Sequence, residues 1–333
     1  MVSKKQILVT GCYRSGTEYF SLTLGNHPRI VSTMYVLNFM RTAFGQYDPL
    51  SEERNICFLV GDLTARARTR WNVKLPLHKI LDRIFSSSER SYGTIYDAIM
   101  SETFFDDRSG ADMWSEKTQL VWRSIPDFLK EMNNGFVVHV VRDPRGVLAS
   151  FKNFTYAPSP AYLGAILNSL DSLKKALEYQ ANYCASQYMI VRAEDLADNP
   201  AGVFSRVFEQ LDCSLEASQI EKVIEEQVGA VPFAGNSSFG APLNQRGGRD
   251  AKWRDELEPW EISLCEAVCG EVMDAFGYTQ LHGQRDASLV KVLSELHGDS
   301  TLSERFLRWA SSGEGMEEFP SDPLVPENWS ENQ

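Results

Sequence analysis

Gly11-Cys12-Tyr13-Arg14-Ser15-Gly16-Thr17 separates the apolar run Gln6-Ile7-Leu8-Val9-Thr10 from a stretch carrying Phe20, Leu22 and Leu24. The apolar, β-branched run predicts a strand, and the stretch from Gly16 predicts a helix that stops at Gly25-Asn26-His27-Pro28. A loop of small residues between a strand and a helix aims backbone N–H groups at an anion, so the segment reads as a phosphate cradle. A nucleoside-triphosphate loop of the form G-x-x-x-x-G-K-[ST] needs lysine after its second glycine. Here Thr17 and Glu18 follow Gly16, and the cation sits inside the loop as Arg14. The same residues also read as a tight turn bearing an exposed arginine.

A second unit of the same kind lies downstream. Phe136 to Val141 is a near-continuous apolar run, the pattern of a strand buried on both faces of a parallel sheet, and Arg142-Asp143-Pro144 ends it before a new helix. Tyr162 to about Ala185 has helical apolar spacing, Met189-Ile190-Val191 predicts another short strand, and Asn199-Pro200 opens a helix striped by Val203, Phe204, Val207, Phe208 and Leu211. Helices alternating with buried strands predict an α/β fold with a central parallel sheet flanked by helices on both faces. The Gly- and Ser-rich segment 230–250 reads as a long functional loop. We expect one domain over 1–280. Beyond it, 281–333 is expected to hold short helices around Ser288 to Leu296 and Leu302 to Ala310, then an acidic, flexible tail.

With 333 residues, 43% of them hydrophobic, the chain is long enough for one large core. Its net charge of −12 argues against a nucleic-acid surface and requires that any polyanion meet a local basic pocket. Six scattered cysteines form no CxxC pair, which suggests reduced thiols; Cys265 and Cys269, four apart, are expected to be core residues and not a metal site. No apolar stretch reaches the roughly 18 residues of a membrane span. A cytoplasmic location without integral membrane association is therefore expected.

The loop Arg14-Ser15-Gly16-Thr17 resembles the donor loop of the sulfotransferase family, [KR]-S-G-[ST], and His27-Pro28 stands where that family often has His-Pro. Val141-Arg142-Asp143-Pro144-Arg145-Gly146-Val147-Leu148-Ala149-Ser150 is similar to its second motif, an arginine at a strand end with a serine eight residues on, most like the carbohydrate and tyrosyl-protein branches. The resemblance spans roughly residues 6 to 278. It implies a P-loop-type α/β sandwich and transfer of a sulfuryl group from 3′-phosphoadenosine 5′-phosphosulfate to an acceptor hydroxyl on a saccharide, glycolipid or small metabolite. No metal is required by it. It places the donor's 5′ end on Arg14, Ser15, Gly16, Thr17 and Glu18, and the 3′-phosphate on Arg142 and Ser150, with Arg246 of the late basic loop closing over it. A P-loop kinase or NTPase, or a non-catalytic nucleotide-binding protein, is the alternative. Arg142 also admits a reading in which it pairs with Asp143 or caps a carbonyl.

The family's chemistry is an in-line displacement dominated by positioning and charge stabilisation. Arg14 is expected to neutralise charge growing on the leaving phosphate. Glu116-Lys117-Thr118 resembles the lysine-bearing segment beside the acceptor site, and Glu116 with Lys117 is the first candidate for acceptor-side catalysis. Glu116 also reads as an ion-pair partner. Glu18, which replaces a usual Ser or Thr, is the next candidate base, expected to turn away from the anion; Gln119 stands where one branch has its histidine. His139 is expected to be a satisfied core residue. Tyr13 replaces a common Pro, and Ala193 replaces a Tyr that touches adenine. Trp71, Trp114 and Trp122 are candidates for lining an acceptor cleft, although side chains of that size more often pack in the core.

Overall fold

The computed structural model describes residues 3–105, 110–153, 160–226, 252–281 and 295–319. The strands are β1 (Lys5–Gly11), β2 (Ile30–Met34), β3 (Met113–Lys117), β4 (Gly135–Val141) and β5 (Tyr188–Arg192). Between and after them run helices α1 (Thr17–Gly25), α2 (Phe39–Thr42), α3 (Glu53–Trp71), α4 (Leu77–Ser86), α5 (Tyr92–Phe104), α6 (Ile125–Glu131) and α7 (Pro144–Lys152). They continue as α8 (Gly164–Asn182), α9 (Ala193–Asp198), α10 (Pro200–Gln210), α11 (Ala217–Glu225), α12 (Trp253–Glu256) and α13 (Pro259–Ala275), with a last helix at Ser300–Ser312.

The five strands of the described residues are all parallel, in the order β2-β3-β1-β4-β5. The chain leaves β1 toward the β2 edge and later leaves β4 toward β5. The carboxyl ends of β1 and β4 therefore flank the point where the connections diverge, which is where open α/β sheets bind ligands. One face of the sheet offers Ile7, Val9, Phe136 and Val138 to Phe20 and Leu24 of α1 and to Val203, Phe204 and Phe208 of α10. The other offers Leu8, Trp114 and Val137 to Tyr96 of α5 and to Ile166, Leu170 and Leu173 of α8. Burial on both faces explains the near-continuous apolar runs of β1 and β4. Among the described residues no helix is long and apolar enough to cross a membrane.

Apart from a helix expected around 288–296, the expected strands and helices form with boundaries shifted by up to three residues. Asn199 caps α10 through a 2.9 Å bond from the Gly202 N–H. Two strands had no sequence signal. β2 is a half-buried edge strand, and β3 buries Ser115, Glu116 and Lys117, three polar residues in a row. The expected helix around 288–296 lies mostly outside the described residues. The later one forms as Ser300–Ser312, and 313–319 then packs back onto α8, with Met316 N donating to Leu167 O at 3.1 Å. Cys265 and Cys269 are both buried on α13.

Gly11, the last residue of β1, pairs with Val140 at φ 155°. A Cβ there would lie 2.2 Å from Val140 O, a backbone atom with no room to yield. Gly11→Ala should therefore lower the unfolding free energy by roughly 3 kcal/mol, measured by urea denaturation.

Candidate active site

The loop between β1 and α1 bends sharply, with Arg14 at φ 63° and Gly16 at φ 87°, both left-handed. Left-handed backbone is open to glycine and strained for arginine, so Arg14 must be held there by its surroundings. Two contacts do so. Arg14 Nε donates to Ser150 Oγ of α7 at 2.9 Å, and Arg142 Nη1 donates to the Arg14 carbonyl at 2.8 Å. The two motifs, 128 residues apart in the chain, thus close on each other across the ends of β1 and β4.

Arg142 lies along the first turn of α7, where a Cβ on Gly146 would come within 3.0 Å of its Nε. The reading in which Arg142 caps a carbonyl describes its Nη1 contact. Asp143, the other partner considered for it, is engaged by Arg145: its Oδ1 accepts from Arg145 Nε at 3.0 Å and its Oδ2 from Nη2 at 2.7 Å. Arg145 is itself buried, bound to Glu266 at 2.6 Å, and stacked 3.9 Å from the centroid of Trp253. Glu194 fixes the start of α7 by accepting from Asp143 N at 2.8 Å.

Ser15 is buried and its Oγ has no hydrogen-bond partner among the described residues. An unpaired buried hydroxyl costs free energy, and this one lies in the middle of the anion-cradle sequence. A Cβ on Gly16 would meet only Ala193 Cβ, at 3.9 Å. The loop backbone is therefore open to close approach.

Glu18, in the first turn of α1, has turned toward the β2–β3 side. Its Oε1 accepts from Tyr35 Oη at 2.8 Å and from Lys117 Nζ at 3.4 Å. Lys117 Nζ also contacts Tyr35 Oη and lies 3.6 Å from the Tyr35 ring centroid. Burial lowers the Lys117 pKa to about 8, opposed by Glu18 and reinforced by Arg14. Glu18 Oε2 makes no hydrogen bond among the described residues. Tyr35, at φ 62°, stacks on Trp71, with centroids 6.4 Å apart and rings inclined by 12°. Nothing in the sequence around Tyr35 marked it; the ring reaches the site because β2 lies beside β3.

One expectation is corrected. Glu116 is adjacent to Lys117 in β3 and so points to the opposite face of the sheet. Its Oε1 accepts from Leu37 N at 2.8 Å and Asn38 N at 2.9 Å, and its Oε2 from Phe39 N at 3.2 Å and from Tyr96 Oη. Burial pushes its pKa above the ordinary carboxylate range, against these four bonds. A fully buried carboxylate with both oxygens engaged holds the 37–39 turn and is in no position to accept a proton from a substrate. Trp114 and Trp122 are fully buried and donate to Asp97 at 2.8 Å and Asp171 at 2.7 Å. They belong to the core, whereas Trp71 is 38% exposed beside Tyr35.

His139 is a core residue. Its ring nitrogens lie 2.8 Å from Tyr188 Oη and 2.9 Å from Ser172 Oγ, and burial lowers its pKa to about 3. His27 contacts Cys213 O at 2.9 Å. Arg246 and its basic loop lie outside the described residues.

A model described as the sulfotransferase family matches residues 6–217. Carbohydrate sulfotransferase 1 of Rattus norvegicus is 26% identical over 159 residues, covering 43% of this chain and 38% of that protein. Carbohydrate sulfotransferase 5 of Mus musculus is 26% identical over 205 residues, covering 55% and 50%. The matched stretch thus spans half or less of those relatives' own length. The solved sulfotransferase domain from the Synechococcus PCC 7002 olefin synthase superposes with a TM-score of 0.51 at 16% identity, over 83% of this chain and 95% of that one. The domain from the curacin biosynthetic pathway gives 0.51 at 15%, over 82% and 97%. At such identity these two likenesses speak to the fold. The family match runs through both strand-end arginine motifs, and on that ground the chain belongs to the sulfotransferase family.

Proposed function

We propose that this chain transfers a sulfuryl group from 3′-phosphoadenosine 5′-phosphosulfate to a hydroxyl of an acceptor. The observation that carries the reading is the closure of Arg14 and Arg142 on each other across the ends of β1 and β4, beside the unpartnered Ser15 hydroxyl. These residues fit a ligand with two separated phosphate groups. Ser15, the N–H groups of Gly16 and Thr17, and Arg14 would hold the 5′ end, with Arg142 and Ser150 on the 3′-phosphate. When bound, the donor supplies a sulfate ester activated by its phosphate leaving group. Arg14 is a guanidinium on a loop pinned from two sides, which suits it to offset charge building on that phosphate.

Glu18 is the group that takes the acceptor proton. Tyr35 and Lys117 occupy its Oε1 and orient the carboxylate, leaving Oε2 to accept. The Lys117 ammonium keeps a carboxylate tolerable next to an anion site. Trp71 supports a saccharide acceptor, since a half-exposed ring stacked on Tyr35 offers an apolar platform for a sugar face next to Glu18.

Thermal-shift titration tests the reading. 3′-Phosphoadenosine 5′-phosphate should raise the melting temperature in a saturable way, and Arg142→Ala should abolish the rise. Stabilisation by ATP with none from the bisphosphate overturns it. The two glutamates should separate cleanly. Glu18→Gln should lower kcat by about 100-fold or more with the melting temperature kept, whereas Glu116→Ala strands four buried donors and should cost roughly 3 kcal/mol of stability or more. Lys117 is charged below about pH 8 and loses its proton as pH rises through that value. Turnover should accordingly fall on the alkaline side of about pH 8, a limb that Lys117→Met should remove in a pH–rate profile.

A further inference from the structure

Residues 313–319 run from the last helix back across α8 as a fixed strap. Gly315 lies so close to α8 that a Cβ would come within 2.5 Å of Leu167 O and 2.6 Å of Asp171 N. Asn168 clamps the strap in both directions, its Oδ1 accepting from Glu318 N at 2.8 Å and its Nδ2 donating to Glu318 O at 2.7 Å. Further bonds run from Arg123 N to Glu317 Oε2 at 2.7 Å and from Lys174 Nζ to Gly313 O at 2.7 Å. These contacts carry the strap to the donor loop. The Phe319 ring stacks on Tyr13, with centroids 5.9 Å apart and planes inclined by 25°. Tyr13 is buried, packs 4.1 Å from Phe151 of α7, and accepts at its Oη from Asn168 Nδ2 at 3.2 Å. On the acceptor side, the Arg41 guanidinium of α2 lies 4.4 Å from the Phe319 ring centroid.

We infer that the strap 313–319 is a positioning element for the donor loop, with Phe319 as its positioning residue, acting through Tyr13 on the left-handed backbone of Arg14. The inference rests on the sulfotransferase reading for what the loop binds, but the holding of the loop is a separate matter. Tyr13 directly precedes the strained residue, and one side chain, Asn168, grips both Tyr13 and the strap. An aromatic pair of this kind is sufficient to change the population of a strained loop several-fold. Phe319 also lies between the donor loop and α2, whose start is set by Glu116. Its position links the two halves of the site.

Hydrogen–deuterium exchange on the full chain tests the holding without any ligand. Phe319→Ala should speed exchange of the amides at 12–17 by about tenfold, with the β4 amides at 135–141 unchanged as the internal reference for global unfolding. Phe319→Tyr, which keeps the ring, should restore slow exchange. In parallel, calorimetry with 3′-phosphoadenosine 5′-phosphate should show Phe319→Ala weakening binding by about tenfold and Phe319→Tyr binding as the wild type does. Loop exchange equal to that of the wild type in Phe319→Ala overturns the strap's role. Acceleration at β4 to the same degree overturns it too, since the side chain would then act on the whole fold. A wild-type protein that does not bind the bisphosphate overturns the functional reading alone, and the exchange arm still decides on the strap.

Discussion

The site depends on a strained loop being held from outside itself. Arg14 occupies left-handed backbone that a non-glycine residue does not adopt freely. What keeps it there comes from the other half of the sheet: the Arg142 guanidinium on its carbonyl and Ser150 on its side chain. Because β1 and β4 are adjacent and in register from Gln6 with Gly135 to Gly11 with Val140, the two strands deliver their terminal residues to the same level. The order β2-β3-β1-β4-β5 is thus the direct cause of the arginine arrangement. Strain of this kind persists where neighbours over-determine the conformation, and here they also define the charge of the cradle.

The part of the site formed by β2 and β3 is built by a different device. β3 carries three buried polar residues, and alternation sends Lys117 to the α1 face and Glu116 to the face of α5 and α2. Each is neutralised locally, Lys117 by Glu18 and Glu116 by backbone N–H groups and Tyr96. A buried charge needs such partners. The lysine retains some access to the loop, while the glutamate is committed to the 37–39 turn.

The two arginine motifs were legible in the sequence because their spacing is local. Arg14-Ser15-Gly16-Thr17 and Arg142 to Ser150 are short runs whose spacing is set by one loop or one helix, and they follow β1 and β4 and touch each other. The fold class was legible from the apolar runs of β1 and β4. β3 was not, since polar residues buried in a central strand carry no hydrophobic pattern. The misreading of Glu116 followed from this: as a neighbour of Lys117 in sequence it looked like a neighbour in space, and only the strand assignment separates them. Tyr35, Asn168 and Phe319 act through partners 17, 155 and 306 positions away (35 − 18, 168 − 13, 319 − 13). Long-range pairings of that kind cannot be read from any window of the chain.

The neighbouring placement of Glu116 and Lys117 has a consequence for how β3 finds its register. A slip of one residue would carry the carboxylate toward the anion cradle and the ammonium into a nest of N–H donors that cannot accept a bond from it. Both exchanges are electrostatically unfavourable, so the charge pair opposes a one-residue slip of β3. The pair functions as a polarity key, fixing by charge what a hydrophobic strand fixes by oiliness.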